Sequence, residues 1–292
     1  SWDGTTRIWS VLIDNWTKAV TEVTQVASLS APDQSPHVMR ALSVSPCAQE
    51  MAVAIENEVA IFDLASQAFR LSARWHRDTI TAVDYALRGG SGAEEALSIA
   101  GGAPSVVCSG SRDGTARVWC QCSPADACGR RLSTSDHVTL HCCASGSGYV
   151  ALAGADSSVS VWLGDLLHFR ADGDAGDAWC CCFSPDGAHL AVGFDDSKVL
   201  VYDMKKSDDP VSLEDFDMES VLCCSFAGDG SLLATGEWDG AGSVRDGLAA
   251  AVRACCGDGL AVHQMGNAPL GHRELPGGSG RVFFWRLLHV SG

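Results

Sequence analysis

Three groups of residues in this sequence have types that could carry chemistry. Cys120, Cys122 and Cys128 stand in CQCSPADAC with His137 and His141 following, and thiolate with imidazole is a ligand set that suits zinc. Cysteine-built zinc sites bring their ligands as paired CxxC units; none occurs there, so these are read as ordinary loop cysteines and no metal is expected. His76 lies two residues from Asp78, with serines and cysteines throughout the chain, which supplies the residue types of a hydrolytic triad. Neither a GxSxG elbow nor a family-like cysteine signature accompanies them, so no catalytic residue is assigned and no enzyme is expected. The GxG strings near Gly89 and Gly277 lack both the strand-to-helix setting and the Lys-Ser/Thr ending of a phosphate loop. They read as linkers, and no cofactor is implied.

Composition narrows the field further. The chain has 292 residues, 46% hydrophobic and 19% charged, with 31 glycines, which is a globular composition with apolar runs shorter than the roughly 20 residues a membrane helix needs. Twenty basic against 36 acidic residues leave a formal charge of −16. Non-specific binding to nucleic acid or anionic lipid relies on basic surface, so neither is expected as a direct partner, and basic proteins or peptides suit the charge better. Residues 165–219 hold 14 of the acidic side chains and only 4 basic ones. Fourteen cysteines would signal a disulfide scaffold in a small secreted domain. Here Cys142-Cys143, Cys180-Cys181-Cys182 and Cys223-Cys224 fall at equivalent points before turns, so they read as small buried packing residues in a reducing compartment, cytoplasmic or nuclear.

The elements that would position any site are short strands. In Val107–Trp119, VCSGSRDGTARVW, two β-rich runs meet at Asp113-Gly114, a hairpin signal because a tight primed turn needs positive φ. The pattern recurs in SWDGTTRIW (Ser1–Trp9), VGFDDSKVLVY (Val192–Tyr202) and LATGEWDG (Leu233–Gly240). Between them, Val38–Val44, Met51–Ile55 and Val59–Phe62 with Gln67–Ala73 make one complete unit. Thr79–Leu87, Ser105–Gly110 and Thr115–Cys120 belong to a second, and Val138–Ala144, Tyr149–Ala153 and Val159–Trp162 to a third. Trp179–Phe183, His189–Phe194 and Val199–Tyr202 belong to a fourth, and Val221–Phe226 with Leu232–Thr235 opens a last. The Gly- and Ala-rich stretch 88–104 reads as a loop insertion. Segment 241–278 fits no strand pattern; deleting it restores a normal hairpin, so it reads as an insertion, the alternative being a degenerate blade over Leu248–Trp285.

The succession of His, a strand, SPDG, a strand with SG, a DG turn and a strand ending in Trp resembles the WD-repeat β-propeller family, whose units are about 40 residues of four strands. The resemblance covers about four fifths of the chain and is strongest in SGSRDGTARVW, FSPDGAHLAVGFDDSKVLVY and FAGDGSLLATGEWDG. It implies an all-β fold of four-stranded antiparallel blades over residues 1–292: an incomplete ring of about four full blades plus parts of two, a fragment of a seven-bladed propeller within a larger polypeptide. It also implies a structural hydrogen-bond set of His76, Ser109, Asp113 and Trp119. Other units depart from that set: Val192 and Tyr202 replace the Ser and the Trp, and the turns of the Ala52–Phe62 and Ala151–Trp162 units look one residue short.

In resembling propellers the residue before each turn Asp is displayed on the face that also bears the loop leading into the first strand. Trp2, Arg112, Asp195 and Trp238 hold that place here, joined by Trp75 from a lead-in loop, and Trp and Arg are over-represented at binding hot spots. Packing of each Trp over a neighbouring turn is the competing explanation. The implied function is a non-catalytic scaffold that docks a protein or peptide on this face. Alternatives are a ubiquitin-ligase substrate receptor, although the WDxR places read FDLA, VWCQ, VWLG, YDMK and FWRL, and a microtubule-associated propeller, which the acidic cluster disfavours.

Overall fold

Apolar runs with period two, separated by turns rich in Gly, Asp, Asn and Ser, fold as short antiparallel strands. A computed structural model of the chain describes residues 5–13, 20–30, 38–45, 48–86, 106–120, 129–133, 138–164, 166–173, 176–214, 220–227, 230 and 233–237. Among these every regular element is a strand. Segments 88–104 and 241–278 lie outside the described residues.

The chain divides into two units, Ser1–Gly173 and Asp174–Gly292. In the first, β1 (Thr5–Ile13) and β2 (Val20–Ser30) form a two-stranded sheet. Then come three four-stranded meanders: β3 (Met39–Val44), β4 (Glu50–Ile55), β5 (Glu58–Asp63) and β6 (Ala68–Ala73); β7 (Ile80–Ala86), β8 (Val106–Ser111), β9 (Thr115–Cys120) and β10 (Gly129–Ser133); β11 (Leu140–Gly146), β12 (Tyr149–Gly154), β13 (Ser158–Leu163) and β14 (Leu166–Asp172). The second unit holds one such meander, β15 (Ala178–Phe183), β16 (His189–Phe194), β17 (Lys198–Asp203) and β18 (Lys206–Glu214), and the pair β19 (Val221–Phe226) and β20 (Leu233–Glu237). Within each unit the first strands of successive sheets pack on one another, β3 on β7 on β11 and β15 on β19. Among the described residues the fold is all-β and made of four-stranded antiparallel blades, as the sequence implies.

The core lies between sheets. In β4 every residue is buried: Met51, Val53 and Ile55 pack toward Leu29 and Met39, while Ala52 and Ala54 turn to the other side, against Ile80, Val83, Tyr85 and Val107. Period-two alternation therefore feeds two interfaces from one strand. Outer strands behave differently, for β6 and β14 are mostly exposed. The fourth strands β10, β14 and β18 lie outside the strands that the sequence marks; their place is set by pairing with β9, β13 and β17. The first strand of each four-stranded sheet, and β19, also bulge at one place, between Met39/Ala41, Ile80/Ala82, Leu140/Cys142, Ala178/Cys180 and Val221/Cys223.

Two sequence expectations about turns are corrected. Asp113-Gly114 is not a two-residue primed turn: five residues, Ser111 to Thr115, separate the paired Gly110 and Ala116. Only Gly114 takes positive φ (74°), and its N–H donates to Ser111 O at 3.2 Å, a three-residue loop closed by a left-handed residue. Asp113 is there for its carboxylate. The Ala151–Trp162 turn is not short either, since Gly154 to Ser158 separate Ala153 from Val159 in the same register. In the Ala52–Phe62 unit the turn is one residue shorter, with Glu56 at φ 51°.

Candidate functional site

The most elaborate constellation joins the β6–β7 loop to the β8–β9 turn. His76 is 5% exposed. Its Nε2 lies 2.9 Å from Ser109 Oγ, and its Nδ1 lies 3.2 Å from Asp113 Oδ2 and 3.3 Å from Thr115 Oγ1. A carboxylate can only accept from a neutral ring, so Nδ1 carries the proton and Nε2 accepts from the Ser109 hydroxyl. Asp113 also accepts from Arg77 N–H (2.8 Å), Thr115 N–H (2.9 Å) and the Thr115 hydroxyl (2.6 Å). Burial lowers the His76 pKa from its ordinary 6.5 and outweighs the nearby Asp113 charge, so the ring is neutral at pH 7. Asp113 is buried too, which alone would raise its pKa, but the donors from Thr115 and Arg77 bring it below 3.8. Such a satisfied network fixes geometry. The Ser109 hydroxyl beside His76 Nε2 is buried, the residue being 1% exposed, so it does not face solvent.

Of the set the family resemblance implies, His76, Ser109 and Asp113 meet here, and the Trp119 side chain lies outside the described residues. Thr115 was missed; its signal is the DGT repeated at Asp3-Gly4-Thr5 and Asp113-Gly114-Thr115. The β12–β13 turn keeps the cap without the histidine, and the β16–β17 turn has an ion pair instead. Asp156 Oδ1 accepts from Ser158 N–H (3.0 Å) and its hydroxyl (2.5 Å). In the β16–β17 turn, Lys198 Nζ meets Asp196 Oδ2 at 3.0 Å. Leu152 stands at the register place of Ser109, and in that sheet the Trp162 indole Nε1 is buried without a hydrogen-bond partner.

The candidate docking residues are placed unevenly. Trp2 and Trp238 lie outside the described residues. Trp75 is half-buried and packs on the Ile80, Val83, Tyr85 and Val107 cluster, while Arg112 is exposed, its N–H donating to Thr79 O at 3.0 Å. In the second unit Asp195 is exposed yet engaged, accepting from Trp179 Nε1 (3.1 Å) and the Ser220 hydroxyl (2.7 Å). An open hollow of about 370 Å³ at the lead-in end of the β3–β6 and β7–β10 sheets is lined by Val38, Arg40, Glu56, Asn57, Arg77, Asp78 and Thr79.

A second polar cluster was invisible in the sequence. Asp84, a lone carboxylate in the apolar β7, accepts from the Ser43 hydroxyl of β3 (2.8 Å) and from Ser145 N–H of β11 (3.0 Å). Ser43 Oγ accepts Tyr85 N–H (3.2 Å), and the Ser145 hydroxyl lies 2.8 Å from Tyr85 O. Three innermost strands are thereby stapled through one side chain. The cysteines do pack, though unequally: Cys108, Cys142, Cys143 and Cys180 are buried free thiols, whereas Cys181, Cys182, Cys223 and Cys224 are partly exposed. Contact with Cys143 (Sγ–Sγ 3.7 Å) and burial push the Cys108 thiol well above its usual range, leaving it inert as a nucleophile. Cys120, Cys122, Cys128 and His137, the loop group considered for zinc, lie outside the described side chains.

Comparison with known families agrees with this geometry. The family model for the WD domain, G-beta repeat, matches residues 71–120, 166–203 and 215–244. The first match spans β6 to β9 and so contains His76, Ser109, Asp113 and Thr115. No curated protein matches the chain. With repeated four-stranded blades, and a lead-in His joined to the turn Asp of its own blade within the first match, the chain carries WD repeats over these three segments.

Proposed function

We propose that this chain is a non-catalytic interaction scaffold that docks a protein or peptide on the face bearing its second-to-third-strand turns, in a compartment that keeps its thiols reduced. WD40 repeats in general serve protein–protein interaction and are typically not catalytic. The observation that carries the finer reading is how firmly the β8–β9 turn is held: its Asp113 is tied to the lead-in loop through His76 and Arg77 N–H, and Arg112 N–H to Thr79 O. The exposed Arg112 side chain is thereby presented from a fixed backbone beside the Arg77-lined hollow, and preorganised side chains bind with less ordering entropy. The four partners of Asp113 serve this rigidity, and no substrate-facing base remains among them. The test is quantitative affinity purification with the chain and with its Trp2→Ala, Trp75→Ala, Trp238→Ala and Arg112→Ala variants. Loss of a common partner set from these variants is the expected result, with thermal melting unchanged in Arg112→Ala, whose side chain is exposed, and lowered in Trp75→Ala, whose ring packs on the core. Capture indifferent to all four substitutions refutes the docking face.

A further inference from the structure

Arg117 of β9 stands directly opposite Arg131 of β10 in the ladder, and like charges placed so are mutually destabilising. Arg77 leaves the lead-in loop next to His76, close enough that its charge bears on Arg117. Burial first, then the charges of Arg131 and Arg77, lower the Arg117 guanidinium from its ordinary value, with Asp113 acting in the opposite direction. Arg117 Nη2 donates to Trp75 O at 3.3 Å, but its Nε is buried and makes no hydrogen bond. Nearby carboxylates are engaged elsewhere: Asp113 with its four donors, Glu58 with Arg74 at 2.9 Å, and Asp78 with Thr79 N–H at 2.6 Å. Among the described residues Arg77 and Arg131 have no carboxylate partner and are exposed.

The chain has 36 acidic side chains, yet among the described residues none pairs with Arg77 or Arg131. Each feature is unfavourable for the protein alone: a buried guanidinium N–H without an acceptor, and a cross-strand pair of cations. An oxyanion supplied from outside relieves the second through the exposed Arg77 and Arg131, and guanidinium matches carboxylate in a charge-assisted fork. Residues opposite on a ladder stand about 5 Å apart, near the roughly 7 Å between alternate side chains of an extended peptide. We propose that the surface formed by Arg77, Arg117 and Arg131 binds an acidic peptide segment of a protein partner through its side-chain carboxylates. The net charge of the whole chain favours basic partners, but surface charges more than about 8–10 Å away are largely screened at physiological salt, so the local arginines govern what docks against them. This assignment rests on the scaffold reading and specifies its partner.

The test is fluorescence anisotropy of the full 292-residue chain with a labelled decaglutamate peptide. We expect binding that weakens about tenfold or more in Arg77→Gln and in Arg131→Gln, since each removes a charge-assisted hydrogen bond to the peptide. Lys205→Gln, which removes the same charge from an exposed site in the other unit, should change affinity less than about twofold. Arg131→Gln should leave the unliganded melting temperature unchanged or raise it, which separates lost binding from lost folding. The proposal is overturned if decaglutamate does not bind, if Lys205→Gln weakens it as much as Arg131→Gln does, or if an otherwise uncharged peptide bearing one phosphoserine binds more tightly. Should any of these occur while the Trp variants still lose captured partners, the acidic-peptide assignment falls and the scaffold stands.

Discussion

Asp113 and Asp156 cap equivalent turns, yet their removal should have very different consequences. Asp156, with 27% of its side chain exposed, accepts two bonds from Ser158 two residues on, and its other oxygen lies 3.5 Å from Arg170. Losing a local cap of this kind costs about 1 kcal/mol. Asp113 has only 9% of its side chain exposed and accepts four bonds, two of them from the lead-in loop 36 and 37 residues away. Hydrogen bonds to a charged acceptor contribute about 1.5–3 kcal/mol each. Those sharing one carboxylate do not add, and Arg77 N–H can rehydrate, so Asp113→Ala should cost about 3 kcal/mol. The difference of about 2 kcal/mol is roughly a 30-fold ratio in local opening. Native-state hydrogen exchange of the β8–β9 and β12–β13 amides reads it directly, without assuming that the whole chain unfolds in one step. Equal loss of protection in the two variants would refute the claim that the Asp113 network, rather than turn capping, secures this blade.

Four further outcomes follow from the same coordinates. His76 has a native pKa below its ordinary 6.5, so the unfolded chain takes up a proton that the fold resists: stability should be complete above about pH 6.5 and decline as pH falls through the native value, and His76→Asn should flatten this decline in pH-dependent melts. Asp113, lowered below 3.8, should add a second loss only below that pH. Asp84→Ala orphans the buried Ser145 N–H and the Ser43 hydroxyl; we expect about 2 kcal/mol, seen as joint loss of exchange protection in β3–β4 and β11–β12, whereas loss confined to β7 contradicts the staple. At Gly193 an added Cβ would lie 2.6 Å from Val221 Cγ1 and 2.7 Å from Cys180 Sγ, whereas at Gly110 its nearest neighbours are 3.6 Å away. Gly193→Ala should therefore cost about 1–3 kcal/mol in denaturant melts and Gly110→Ala well under 1. Ser157 and Ser197 hold φ of 60° and 69° where Gly114 stands in the third sheet, so Ser157→Gly and Ser197→Gly should each raise the melting temperature by relieving about 1 kcal/mol of left-handed strain.

The sequence by itself determined the repeat. The DG and SPDG punctuation, the period-two runs and the Trp at strand ends are local properties, set by the φ a turn requires and by the two faces of a strand, and so they are legible one residue at a time. His76, Ser109 and Asp113 could be named because the resemblance to WD repeats implies that a lead-in His, a strand Ser and a turn Asp form one hydrogen-bond set. Outer strands such as β10 and β14 could not be traced, since what defines them is pairing with β9 and β13, which sequence pattern does not specify. Tertiary structure alone decided which polar groups meet across sheets: Asp84 in TAVDYA is an isolated acid until packing sets Ser43 and Ser145, 41 and 61 residues away, against it. It alone brought Arg117 opposite Arg131 as well, because ladder register depends on the length of the turn between strands and on packing between sheets, and neither is written in the residues themselves.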